Sequence, residues 1–288
     1  VEKVWHTIIN ERRFRMDWPK NYRCAVCLTF DVDGELVWKS KIPMDPGFGN
    51  PVVLSLGEFG PTVAVPRILK LLDTYEIQAT FFIPGYILET YPDVVKEIYS
   101  RGHEIGFHSY GHVNPAKLTL EQEKKDFEIG LEAFQKLLGY RPYGYRSPAA
   151  EMSKNTWGLL AEFGFLYDTT MMGKDFPYVQ NVNGKSVIEL PMHWILDDWV
   201  YFGFNMYPNL PYMSGISSQE KVYEIWSAEF DGMLEEGLLF MLCMHPQLMG
   251  RMSRLKMLER LLRHMRENTG VWFSKGVDVA QYALKTLK

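Results

Sequence analysis

The chain has 288 residues, 47% hydrophobic and 14% aromatic, enough to bury a large core as one α/β barrel or two small domains, and one is expected. A formal charge of −4 from mixed acids and bases, without a long single-sign run, argues against a nucleic-acid groove or a polybasic membrane surface. The 3 cysteines are too few for a disulfide framework: Cys24, Cys27 and Cys243 read as small buried hydrophobes, the first two on opposite faces of a strand.

Residues 1–21 read as an irregular arm and 22–288 as a single domain. No stretch approaches the roughly 20 apolar residues of a bilayer span, and residues 1–20 hold no signal-peptide-like apolar segment, so a soluble, cytoplasmic protein is expected. From Cys24 a short apolar run ends in Asp31 and Asp33. Two residues apart in a strand they share a face, and Gly34 lets the chain turn away. Buried unpaired carboxylates are costly, so these two should hold a cation, share a proton or meet water.

Residues 36–62 read as a long Gly/Pro-containing loop, of the kind that is usually functional inside a compact domain. A helix follows from Val63, then a strand at Ala79–Ile83 stopped by Pro84-Gly85, a helix near Asp93–Ser100 and a strand at Glu104–Phe107. The helix Leu120–Leu138 carries a Thr119/Gln122 capping box and stops at Gly139. Strand-like Tyr143–Tyr145, a helix Asn155–Phe163, strand-like Phe165–Tyr167 and a strand Ser186–Leu190 come next. An aromatic stretch from Trp194 to Tyr212 has little period. A helix over 218–236, capped by Ser217 and Glu220, precedes the apolar strand Leu238–Met244, which ends at His245. A basic helix Arg254–Arg266, a strand Val271–Phe273 and a helix near Val277–Leu287 complete the chain. This alternation predicts a parallel β/α architecture, and the lack of a G-x-G-x-x-G turn after the first strand favours a barrel over an open doubly wound sheet.

In such a barrel Asp31, Asp33, His108, Arg146 and His245 all fall at carboxyl ends of strands. His108 and His112, four apart, can converge on one ion with Asp33, leaving positions for water or substrate. Asp31 then remains as a base for water, Arg146 is a fixed charge suited to orienting it, and His245 can protonate a leaving nitrogen. Trp194, Trp199, Tyr110 and Pro148 are candidate pocket residues, and Tyr201, Phe202, Phe204 and Tyr207 could help to roof a small site. His193 is a candidate pocket wall; His103 and His264 are assigned to structure and surface, and His6 to the arm.

These motifs resemble the polysaccharide deacetylases with a NodB-type domain. Thr29–Gly34 looks like the first motif of that family, with a catalytic base followed by a metal ligand. His108-Ser-Tyr-Gly-His112 resembles its paired ligands, Arg146-Ser-Pro148 its third motif and Leu242–His245 its last, which carries the catalytic histidine. Trp194–Asp197 is similar to the fourth, whose acid tunes that histidine, so the resemblance makes Asp197 that acid. It implies an incomplete, distorted (β/α)7 barrel and a divalent metal, zinc first, with cobalt, manganese or nickel as alternatives. The implied substrate is an N-acetylated amino sugar of a peptidoglycan- or chitin-like saccharide.

Val32 between the acids, Ala149 after Pro148 and the long loops point to the branch with peptidoglycan deacetylase-like proteins and cyclic imide hydrolases. A small cyclic imide or ureide is therefore the alternative substrate. Related allantoinases lack the metal ligands, and retention of Asp33, His108 and His112 argues against that assignment. An Fe(II) oxygenase would leave Asp31 and His245 without work, and an inert carbohydrate-binding module is the remaining reading. The arm and aromatic loops suggest a homo-oligomer, with no nucleic-acid or membrane partner.

Overall fold

The computed structural model describes residues 16–43, 45–203 and 216–287. Its strands are β1 (Cys24–Asp31), β2 (Thr80–Ile83), β3 (Glu104–Phe107), β4 (Gly144–Tyr145), β5 (Tyr167–Asp168), β6 (Tyr178–Val182), β7 (Lys185–Glu189), β8 (Leu239–Met244) and β9 (Val271–Phe273). The helices, in chain order, begin with α1 (Leu36–Lys39), α2 (Pro51–Thr74), α3 (Gly85–Thr90), α4 (Pro92–Ser100), α5 (Leu120–Leu138) and α6 (Thr156–Phe163). They continue with α7 (Trp199–Phe202), α8 (Gln219–Glu236), α9 (Pro246–Met249), α10 (Met252–Glu267) and α11 (Gly276–Thr286).

β1 is buried along its whole length, as expected of a central parallel strand covered on both faces. Cys24, Val26, Leu28 and Phe30 pack outward into the large core shared with the helices, whereas Ala25 and Cys27 pack inward with Met241 and Cys243 of β8. The sheet order is β6-β7-β5-β4-β3-β2-β1-β8, with β9 also on β1, and every pair except β6–β7 is parallel. This is the expected distorted, incomplete barrel. Among the described residues it stays open between the β6–β7 edge and β8, where a bridge from Asp197 to Cys243 links the segment after β7 to β8.

The sequence reading missed β6. Its turn into β7 is Asn183-Gly184, both at positive φ (51° and 77°), a dipeptide that strongly favours tight hairpins. The stretch 36–62 is largely helical rather than a loop. Asn50 caps α2 by accepting from Val52 N at 2.9 Å, and a wider π-type turn at Gly60–Ala64 accommodates Pro61, which has no N–H to give to a regular ladder. α2 is also the helix, among the described residues, whose 24 residues and mean hydropathy of 1.3 match a bilayer span in length and composition, contrary to the expectation that no stretch came near. Val65, Ile68, Leu69 and Leu72 on it are core residues. At α8 the cap is Ser218, accepting from Lys221 N, not Ser217, while the Thr119/Gln122 box of α5 forms as read. Of the arm, Met16 and Trp18 are described, and Trp18 Nε1 donates to the Gly237 carbonyl at 2.9 Å; His6 lies outside the described residues.

Candidate active site

Strand alternation places Thr29 and Asp31 on the inner face of β1, and one side chain touches both. Arg146, just past β4, donates from Nη1 to Asp31 Oδ1 and to Thr29 Oγ1, each at 2.8 Å. Its Nε donates to the Thr169 carbonyl at 3.2 Å and its guanidinium lies 4.5 Å from the Phe82 ring centroid. Charge-assisted bonds of this kind set the direction of a carboxylate as well as stabilising it. Cys243, on the facing strand, brings its thiol to 3.6 Å from Asp31 Oδ2 and 3.4 Å from Arg146 Nη1. The sequence reading gave it no role beyond packing, although it lies two residues before His245 on the same strand face. Burial, then the neighbouring acids, push its pKa well up, so it stays a thiol.

The chain leaving β3 carries the two imidazoles on a loop, not a helical turn, with Ser109 at φ 62° and His112 at φ 54°. Asp126 of α5 holds this loop by accepting from Tyr110 N (2.8 Å) and Gly111 N (3.1 Å), and Ser109 Oγ accepts from His112 N (2.9 Å). Asp126 belongs to none of the sequence motifs; its place on the inner side of an amphipathic helix is its signal in the chain. His108 Nδ1 lies 2.7 Å from the Arg146 carbonyl, so it must carry the proton and donate, which leaves the Nε2 lone pair directed at the acids. Nε2 of His108 is 3.3 Å and Nε2 of His112 3.5 Å from Asp33 Oδ1.

Asp33 Oδ1 is buried and has no hydrogen-bond partner. A lone-pair nitrogen facing an orphaned carboxylate oxygen is repulsive unless a proton or a cation lies between them. The residues therefore fit a divalent ion, with Asp33, His108 and His112 as its holders and no fourth protein group required. Burial drives His112 down to about 4, keeping it neutral as a ligand must be. His108 is raised although burial opposes it, because Asp31 and Asp33 favour its charged form. Asp33 likewise resists burial: the three imidazoles hold it well below the usual carboxylate range. Among the described residues two other groups could hold an ion, Asp31 with Cys243 and His245, and Asp197 with Asp198 and His245. The protonated Cys243 thiol and the engagement of Asp198 by His245 make them weaker candidates.

His245, at the end of β8, sends Nδ1 to Asp198 Oδ1 at 2.6 Å, and its own amide donates to Asp198 Oδ2 at 2.9 Å. The acid on the histidine is thus Asp198, a correction to the expected Asp197. The Asp198 amide is bonded to the Cys243 carbonyl, which sets its side chain beside residue 245, whereas Asp197 Oδ1 accepts from Trp199 N at 2.7 Å. Against the opposition of burial, the Asp198 charge lifts His245 to about 10, so at neutral pH it is an imidazolium. Its Nε2 faces Asp33 Oδ2 at 3.7 Å. The Trp199 ring stands edge-on to His245 at 5.0 Å and continues to Trp38 at 6.4 Å.

The other pocket candidates scatter. Trp194 is 43% exposed, and Tyr110 turns its hydroxyl to Glu89 at 3.0 Å and packs its ring edge against Gly85. Pro148 is buried and Phe202 is a core residue; Tyr201 donates to the Ile195 carbonyl. His193 is exposed, and its Nδ1 caps a short turn by accepting from Ile195 N. His103 is buried, accepting from Ala79 N, and His264 pairs with Asp231. Phe204 and Tyr207 lie outside the described residues.

Residues 49–167 match the family model described as polysaccharide deacetylase. A peptidoglycan deacetylase of Helicobacter pylori is 30% identical over 281 residues, covering 88% of this chain and 94% of that protein. A peptidoglycan deacetylase-like protein of Gibberella zeae is 30% identical over 247 residues, 74% of this chain and 72% of its own. Among solved structures, a Mycobacterium smegmatis protein described as a polysaccharide deacetylase superposes with a TM-score of 0.89 at 36% identity, covering 96% of this chain and 95% of that one. PuuE allantoinase superposes with a TM-score of 0.82 at 26% identity, with 93% of both chains covered. With the strand order, the five motifs in sequence order and these likenesses in agreement, the chain belongs to the polysaccharide deacetylase family.

Proposed function

We propose that this protein is a divalent-metal-dependent hydrolase that removes the acetyl group from an N-acetylated amino sugar of a peptidoglycan- or chitin-like saccharide. The observation that carries the reading is the orphaned Asp33 oxygen between two imidazoles, with the Arg146-oriented Asp31 on one side and an imidazolium on the other. When bound, a divalent ion, zinc by preference, supplies the positive charge that polarises the scissile carbonyl and acidifies water. Asp31, oriented by Arg146, takes the proton of the attacking water, whose oxygen adds to the carbonyl carbon. The C–N bond then breaks as His245 passes its Nε2 proton to the departing nitrogen. Asp198 holds the Nδ1 proton and keeps that imidazolium in place. The products are acetate and the free amine.

A second reading, hydrolysis of a small cyclic imide or ureide by the same groups, is favoured by the enclosure of the centre. Asp31, Asp33 and His108 are 3%, 1% and 2% exposed, and the Trp199 ring stands against His245, whereas a polymer needs an open groove. The test is an assay of metal-loaded protein on an acetylated chito-oligosaccharide beside succinimide and hydantoin. Release of acetate with no ring opening is the expected result; ring opening alone would move the assignment to the second reading, and turnover of neither would leave an inert binding module. In either reading Asp31→Asn should abolish turnover while elemental analysis still finds the metal, and loss of metal would make Asp31 a ligand instead.

A further inference from the structure

Behind Arg146 lies a second pair of acids that the mechanism above does not use. Asp168 ends β5 and Glu189 ends β7, paired neighbours in the sheet, and both are fully buried. Glu189 Oε1 accepts from the amides of Thr170 (3.2 Å) and Met171 (3.0 Å); Asp168 accepts from the Thr170 amide and hydroxyl, each at 2.9 Å. The other Glu189 oxygen, Oε2, is buried with no donor to meet it. The turn these acids hold is the one that holds the arginine. Thr169 offers its carbonyl to Arg146 Nε and its hydroxyl to Nη2 (3.2 and 3.3 Å), and Thr170 Oγ1 accepts from the Ser147 amide at 3.0 Å.

We infer that Glu189 and Asp168 share one proton and that the pair acts as a positioning device. It fixes the Thr169–Met171 turn, the turn fixes the Arg146 guanidinium, and Arg146 aims Asp31. Glu189 Oε2 carries the shared proton and donates it to the Asp168 carboxylate; two ionised carboxylates there would repel one another. Among the described residues, Arg146 beyond β4, Tyr145 on β4 and Tyr178 on β6 act on the pair. Of these three the arginine is the cation, and it is committed to Asp31. In agreement, burial raises Asp168 to about 6, and burial with the neighbouring Asp168 charge raises Glu189 well above the carboxylate range. Because both are raised in the folded state, their contribution to stability is fully present below the unfolded carboxylate pKa of about 4 and declines as pH rises through the folded values.

The positioning role rests on Asp31 being the base, so the test separates the two claims. Infrared difference spectra at neutral pH should show a protonated-carboxyl band that Glu189→Gln removes, and Arg146 Nε–H should exchange slowly in wild type and Glu189→Gln but rapidly in Glu189→Ala. On the substrate identified above, Glu189→Ala should lower kcat about 10- to 100-fold with KM and metal content unchanged. Glu189→Gln, whose amide donates where the acid did, should recover most of that loss. An unchanged carboxyl band overturns the shared proton whether or not any substrate is found. Slow Arg146 exchange in Glu189→Ala, or kcat within twofold of wild type, overturns the positioning role. Should the alanine variant fail to fold, the infrared arm still decides the shared proton, and slow Arg146 exchange in Glu189→Leu, which fills the space without a hydrogen-bonding group, overturns the positioning role.

Discussion

The chemistry at the centre depends on pairs in which one side chain sets the direction or charge of another. Arg146 orients Asp31, and the Asp198 carboxylate accepts from both the ring and the backbone amide of His245. Asp198→Asn keeps the shape and removes the charge, so kcat should fall about 10²- to 10⁴-fold, the usual worth of a general acid, with metal content intact. Asp197→Asn should cost far less, because an amide oxygen can still accept from Trp199 N; steady-state kinetics of the two variants side by side check the assignment. A second prediction concerns protons. An ion on His108 Nε2 must displace the proton that the Asp31 and Asp33 charges favour there, whereas His112 is already neutral at pH 7. Metal uptake should therefore release protons and weaken as pH falls, which calorimetry in buffers of different ionisation enthalpy would measure. Affinity that does not fall on acidification would contradict the ligand role of His108.

Elements deliver these side chains by short, strained connections, and their supports lie outside the motifs. The histidine loop takes two non-glycine residues at positive φ and is held by the Asp126 carboxylate through two amides. Asp126→Ala should lower metal affinity about 10- to 100-fold, as removal of an outer support commonly does, with a circular dichroism spectrum like that of wild type. On the opposite side, α2 lies directly against the acidic turn. A Cβ on Gly57 would stand 2.4 Å from Glu35 Cα and 2.5 Å from the Gly34 carbonyl oxygen, both backbone atoms that cannot swing aside. Gly57→Ala should cost about 1–3 kcal/mol in denaturant unfolding and displace Asp33 enough to weaken metal binding. A neutral effect on both would mean that α2 does not brace the turn.

At the scale of the whole molecule, the ion would join segments from β1 and β3 that are 75 residues or more apart in the chain, so binding and folding should be linked. Free zinc at 100 times its Kd should add about 2.7 kcal/mol to stability, seen as a rise in Tm that a chelator reverses. Asp33→Ala should abolish the rise, and a shift that survives it would place the ion elsewhere. Much of this arrangement was legible in the chain because it is local. Alternation in β1 turns Thr29 and Asp31 the same way, a capping box and a left-handed glycine bound α5, and His108 and His112 sit within one loop. Even the hairpin that was missed carried its signal in Asn183-Gly184. What the chain could not disclose is how distant segments meet. Whether Asp197 or Asp198 serves His245 depends on how the segment after β7 docks on β8, a matter of one residue of register. That Cys243 meets Asp31, or that Asp168 finds Glu189, depends on which strands become neighbours. Periodicity and turn chemistry act over a few residues and are written in order along the chain. Strand order and register are set by burial of the entire core, and only the folded structure assigns each buried charge its partner.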